Sequence, residues 1–202
     1  LEGFKGEVYH TGNWPHKEID FSSKRIAVVG VGSSGIQSIP VLAEQARHLT
    51  VFQRTPNYSI PSQNEPMTAD YEKLWKSDYA SRREEMRYTP HGSLKDLNDK
   101  SALSANEEER QLTYQKRWEI GGAGYLGAFN DLLTNIESND TASEFVREKI
   151  REIVKDPVIA EKLSPKTYPI GTKRICIDSG YFETFNRENV ELVDINEMPI
   201  EK

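Results

Sequence analysis

Cysteine is all but missing from this 202-residue chain, with Cys176 the only one. A single thiol can build neither a disulfide framework nor a thiolate metal centre. Long apolar runs are missing too. None approaches the roughly 18 residues of a membrane-crossing helix, and no signal-peptide pattern is legible, so the expected setting is cytoplasmic with no membrane partner. Positive charge is in the minority: 26 Lys and Arg against 32 Asp and Glu leave a net charge of −6, which argues against nucleic acid as a general partner. There is no internal repeat and no low-complexity tract. The chain starts at Leu1 without Met and stops at Lys202 soon after a strand-like run, so it reads as a piece of a longer protein. What remains, 36% hydrophobic and 29% charged, describes a globular protein with ample core.

What is present concentrates in one stretch, Arg25 to Thr55. Arg25 to Val29 is a short β-branched run that ends in Gly30-Val31-Gly32-Ser33-Ser34-Gly35. Apolar residues then recur at helical spacing (Ile36, Ile39, Leu42, Ala43, Ala46), and a second strand-like run covers Leu49 to Phe52. A strand, a glycine turn, a helix and another strand form the first half of a dinucleotide-binding unit. Gly30 would permit the tight turn, Gly32 the approach of the pyrophosphate, and Gly35 the close packing of helix on strand. Ser33, Ser34 and Gln37, at the helix start, complete the expected cofactor contacts, where free N–H groups and the positive dipole end face the phosphates.

The end of the second strand selects the dinucleotide. NAD sites usually place an acid there, about 20 residues into the unit, to hold the ribose 2′-OH. Here the chain reads Gln53-Arg54-Thr55, with no carboxylate. A guanidinium matches a 2′-phosphate with two parallel hydrogen bonds, so NADP(H) is expected, with Arg54 as selector and Thr55 as a second donor.

The rest is read in order. Residues 1–23 are rich in Gly, aromatics and turn formers and are expected as loop; Gly12 and Pro15 argue against a helix joining His10 to Trp14. After Thr55 the strand–helix alternation stops, and Pro56 to Pro61 reads as extended. From about Met67 to Leu163 the pattern is mainly helical, with Ser104-x-x-Glu107 and Thr141-x-x-Glu144 as capping boxes. Phe145, Val146, Ile150, Ile153 and Val154 make an apolar stripe, and Asp156-Pro157 ends one helix and opens another. Gly121 to Tyr125 is expected as a flexible turn between helices; no strand precedes it, which argues against a phosphate cradle. Finally, Tyr168 to Cys176 reads as loop, because Pro169 and Gly171 interrupt it. Neighbours on extended backbone point opposite ways, so Lys173 and Arg174 serve different ligands or are two solvated charges.

Two segments carry a family resemblance. Phe4-x-Gly6-x-x-x-His10-Thr11-x-x-Trp14-Pro15, just before the glycine motif, resembles the fingerprint of type I Baeyer–Villiger monooxygenases. The run Pro165 to Arg174, with Asp178 to Phe182 and Phe185 to Val190, is similar to the same segment of the phenylacetone- and cyclohexanone-type enzymes. The resemblance implies a FAD-dependent monooxygenase that uses NADPH and O2 to convert a ketone to an ester or lactone. It makes Lys173 a ligand of the NADP 2′-phosphate and Arg174 the active-site arginine beside the flavin, where a fixed guanidinium would stabilise negative charge. Phe4, Gly6, His10 and Trp14 become linker residues that couple the NADP domain to a FAD domain of the same protein, expected outside this chain. The acidic partner of Arg174 is expected there as well.

The expected fold is α/β: a Rossmann-like NADP-binding domain with a parallel sheet (24–62 and 164–202), preceded by a linker (1–23) and interrupted by a helical subdomain (63–163). Two rivals share part of this pattern. One is a flavin-dependent N- or S-oxygenating monooxygenase, which Trp14-Pro15 and Thr172-Lys173-Arg174 count against. The other is a non-catalytic NADP(H)-binding sensor or interaction module.

Overall fold

The computed structural model describes residues 3–89, 92–94 and 97–200. The outermost residues of the expected first and last segments, 1–2 and 201–202, lie outside that set. In chain order the elements are β1 (Arg25–Val29), α1 (Ser33–Gln45), β2 (His48–Gln53), β3 (Ser59–Pro61), α2 (Ala69–Ser77), α3 (Tyr79–Met86), α4 (Glu107–Ile120), α5 (Ile136–Ile153), α6 (Pro157–Leu163), β4 (Cys176–Asp178), α7 (Tyr181–Thr184) and β5 (Val190–Asp194).

β1, β2 and β5 form a parallel sheet with β2 at its centre. Arg25 lies opposite His48, and Leu49 opposite Val190. Leu49 and Val51 turn one face of β2 inward, and α1 covers it with Ile36, Ile39, Leu42 and Ala43, all buried. Each of the Ile, Leu and Val side chains contributes about 1.5–3 kcal/mol by leaving water. The exposed carbonyls at the C-terminal end of α1 are answered from a distance: Asn189 donates its amide to the oxygens of Ala43 and Ala46, both at 2.9 Å.

Between β2 and β5 the chain leaves through β3 and returns through β4, and these two short strands pair in parallel, Ser59 opposite Cys176. The first was expected only as extended chain, and the second begins at the last residue of the expected loop. Three residues are too few to show an alternating pattern.

Helix boundaries in the insert correct both expected capping boxes. α4 is capped by Asn106, whose side chain accepts the Glu109 N–H at 2.9 Å; Ser104 instead ends a single 3-10 turn, Ala102–Ser104. α5 is capped by Asn135, and Thr141 sits inside the helix with its hydroxyl on the Ser138 carbonyl. The boxes failed because an Asn stood closer to each helix start, and Asn caps at least as well as Ser or Thr. The stripe of α5 is as read, with Phe145, Val146 and Ile150 buried, and Asp156 caps α6 ahead of Pro157.

Gly121 to Tyr125 is not a flexible turn. Gly121, at φ +73°, closes α4, and Gly122–Ala128 is a 3-10 helix that drives Tyr125 into the core. The Tyr125 ring packs 5.8 Å from Tyr114 and 6.3 Å from Phe145, and its hydroxyl donates to the Ala142 carbonyl at 2.9 Å. Burying one large aromatic orders the whole turn. No helix among the described residues is long and apolar enough to cross a membrane.

Candidate functional site

The site begins where β1 ends. Gly30 takes φ +99° and gives its N–H to the Phe52 carbonyl of β2 at 2.9 Å. A side chain on Gly35 would meet the Gly30 carbonyl oxygen at 2.3 Å, so only hydrogen fits at this crossing of helix and turn. In front of Gly30 and Gly32, by contrast, nothing lies within 4 Å of a built Cβ. α1 starts at Ser33 behind Gly32, which offers no side-chain cap, and this leaves the first N–H groups for an outside acceptor. The residues present therefore fit a phosphate group at this turn.

The expected contacts at the helix start divide. Ser33 and Gln37 face β4: Ser33 Oγ lies 3.5 Å from Cys176 Sγ, and Gln37 Nε2 donates to the Ile177 carbonyl at 3.0 Å. Ser34 is exposed. Past β2, Gln53 is buried and gives Nε2 to the Lys162 carbonyl at 2.7 Å, whereas Arg54 is exposed, with no side-chain partner among the described residues. Thr55 is half-buried.

The distant loop comes to the same place. Lys173 Nζ stands 4.1 Å from the centroid of the Tyr168 ring. The Tyr168 hydroxyl shares its proton between the Pro56 carbonyl at 2.8 Å and Asn57 Oδ1 at 3.0 Å. Asn57 then gives Nδ2 to the Val31 carbonyl inside the glycine turn, at 2.6 Å. One chain of contacts thus joins the glycine turn, the segment carrying Arg54 and Thr55, and Lys173. Burial pushes the Tyr168 phenol up to about 12, so it remains a donor across the physiological range.

The insert sets the position of this loop. Asn139 of α5 is buried; its Oδ1 accepts the Ile170 N–H at 3.0 Å and its Nδ2 donates to the Ile170 carbonyl at 2.7 Å. Gly171 follows at φ +91°, and the Thr172 N–H returns to the Pro169 carbonyl at 3.3 Å. The turn throws Lys173 back over Tyr168. Arg174, its neighbour, is exposed and has no partner among the described residues.

Asn57, Tyr168 and Asn139 were missed by sequence reasoning. The only local signals were an aromatic inside a Pro- and Gly-interrupted loop and an amide on the apolar side of a helix. Their partners lie too far along the chain to be read from spacing.

The amino-terminal segment is a separate cluster. Trp14 stacks near Tyr9 and Phe21, at 5.6 and 6.2 Å, and stays exposed, as do Phe4 and Gly6. His10 Nδ1 accepts the Gly12 N–H at 3.1 Å and caps one 3-10 turn. No hydrogen bond or ring contact joins this segment to the glycine turn among the described residues. A cavity of about 810 Å³ along α4 involves none of the expected site residues.

No family model matches the chain. Individual proteins do. Cyclohexanone 1,2-monooxygenase of Acinetobacter sp. is 42% identical over 99% of this chain, which spans 37% of it. A Baeyer–Villiger monooxygenase of Pseudooceanicola batsensis is 37% identical over 99%, and the chain spans 36% of it. A phenazine N-monooxygenase of Lysobacter antibioticus is also 37% identical, over 98%. Among solved structures, an oxidized steroid monooxygenase bound to NADP matches with a TM-score of 0.93 and 52% identity, over 98% of this chain and 38% of its own. The chain thus spans little more than a third of the relatives it matches. The identity runs along the whole chain rather than through one motif, and the fold is the α/β, Rossmann-like one of an NADP-bound relative, so the chain is similar throughout its length to one part of the Baeyer–Villiger monooxygenases.

Proposed function

We propose that this chain is the NADP(H)-binding part of a FAD-dependent, cytoplasmic monooxygenase that uses NADPH and O2 to convert ketones to esters or lactones. Residues 24–62 and 164–202 form the nucleotide-binding unit, 63–163 the helical insert and 1–23 the linker to the FAD domain. The observation that carries this is the convergence of an uncapped helix start, an acid-free strand end and Lys173. The N–H groups at Gly32 to Gly35 bind the pyrophosphate, with Ser34 the free hydroxyl beside them. Arg54, Thr55 and Lys173 hold the 2′-phosphate. Ser33 and Gln37 brace α1 on β4. Arg174, unpaired, is the cation left to face the flavin. Bound NADPH supplies a hydride and bound FAD the oxygen chemistry; this chain's part is to orient the first and to place positive charge toward the second.

Calorimetric titration of the full-length enzyme with NADP⁺ and NAD⁺ tests the site. A charged hydrogen bond is worth roughly 1.5–3 kcal/mol, so Arg54→Ala should weaken NADP⁺ about 10- to 100-fold and leave NAD⁺ nearly unchanged. Equal weakening of both would make Arg54 structural. In the same series Arg174→Ala should keep both affinities and lose oxygenation of a ketone; normal ester formation would refute its role. The phenazine N-monooxygenase keeps N-oxygenation as a second reading of the chemistry. It shares the nucleotide site, and product analysis with ketone and amine substrates separates the two.

A further inference from the structure

Among the described residues Lys173 makes no hydrogen bond or ion pair; its ammonium stands 4.1 Å from the centroid of the Tyr168 ring. An exposed lysine with no carboxylate partner would otherwise sample many rotamers. The ring itself is held at two places. Its hydroxyl is fixed on Pro56 and Asn57. Its edge meets the buried Tyr58 at 5.5 Å and an interplanar angle of 83°. Tyr58 is in turn pinned by Arg147 of α5, whose Nη1 donates to the Tyr58 hydroxyl at 3.1 Å. An aromatic face attracts an ammonium without neutralising it, so the charge stays available to an incoming anion. A carboxylate in the same place would fix the lysine and also repel the phosphate.

We propose that Tyr168 is a positioning residue for coenzyme choice: it presents Lys173 and the Arg54–Asn57 segment in one register, so that a dinucleotide with a 2′-phosphate is preferred over one without. This rests on the site reading given above. NADP⁺ and NAD⁺ differ only in that phosphate, so a residue acting through Lys173 must change their ratio. A residue that only supports the fold would weaken both.

The test uses the full-length enzyme, titrated with NADP⁺ and NAD⁺ in four variants. Tyr168→Leu removes ring and hydroxyl, and should weaken NADP⁺ about three- to tenfold while NAD⁺ changes less than about twofold. Tyr168→Phe keeps the ring under Lys173 and should recover part of the loss. Lys173→Ala should lower the NADP⁺ preference by itself, and adding Tyr168→Leu to it should lower it by less than Tyr168→Leu does alone, because the two share one interaction. If Lys173→Ala lowers the preference and Tyr168→Leu does not, the positioning role is refuted and the site reading stands. If Lys173→Ala leaves the preference unchanged, the site reading itself fails and the inference falls with it. If the Leu variant does not fold, Tyr168→Met, also without a π face, gives the same readout.

Discussion

Two segments of this chain carry the same glycine spacing, Gly30-x-Gly32-x-x-Gly35 and Gly122-x-Gly124-x-x-Gly127, and fold to opposite ends. The first follows a strand and opens a helix whose start is uncapped and faces open space. The second follows a helix, winds into a 3-10 turn and seals the insert's core with Tyr125. Its last glycine carbonyl is already taken by the Asn98 N–H at 3.1 Å. Spacing alone therefore does not make a phosphate cradle. What precedes the glycines decides whether their N–H groups remain unclaimed. The capping pattern agrees in part: α2, α4, α5 and α6 spend a Thr, Asn or Asp side chain on their first turn and Asp178 takes the Tyr181 N–H at the start of α7, whereas α1 and the short α3 have no side-chain cap.

The comparison is broken hardest by adding one methyl group to each segment. Gly35→Ala drives a Cβ to 2.3 Å from a backbone oxygen, and should cost roughly 2–3 kcal/mol and about 100-fold or more in NADP⁺ affinity. Gly124→Ala meets nothing within 4 Å and should leave both stability, within about 0.5 kcal/mol, and affinity unchanged. Thermal melts with calorimetric titrations check both; a Gly124 variant that loses NADP⁺ would overturn the contrast.

A smaller effect sharpens it. Tyr125→Phe removes a buried hydroxyl from the Ala142 carbonyl and should cost about 1 kcal/mol in urea unfolding, with NADP⁺ affinity unaltered. A change in affinity would mean that the second glycine segment communicates with the first.

The smallest effect belongs to the insert's surface. Hydrogen bonds from Lys166 and Arg151 hold the Glu161 carboxyl down to about 2. A carboxylate lowered on folding adds stability above its unfolded value of 4.5, and this is lost as the pH falls toward about 2. The side chain is 43% exposed, so solvent screens most of the gain. Melts between pH 5 and 2 should show a slightly shallower acid decline in Glu161→Gln than in the parent, and identical curves would remove Glu161 from the account.

These cases also mark what could be read in the sequence. β1, α1 and β2 were legible because their signals are local: a β-branched run, a glycine turn and an apolar repeat within one segment. The stripe of α5 was legible for the same reason. Its start was not, since Thr141 and Asn135 compete for the cap and only packing shows which wins. β3 and β4 were too short to announce themselves, and each exists because the other lies beside it. At the site, Gly35, Arg54 and Lys173 could be named beforehand. The Tyr168 contact to Pro56 could not, because it joins residues 112 positions apart and only the turn held by Asn139 brings them together.

The pairing of β3 with β4 has a consequence for how such a chain can diversify. The chain leaves the sheet region through β3 and returns through β4, strands three residues long that lie side by side, so the points of departure and return are separated by only about 10 Å. The helices between them can change in length and surface while the sheet keeps its register, so long as the loop from Tyr168 to Arg174 is kept. One constraint remains: a replacement for α5 must still supply a group that grips Ile170 as Asn139 does, or the turn that carries Lys173 loses its anchor.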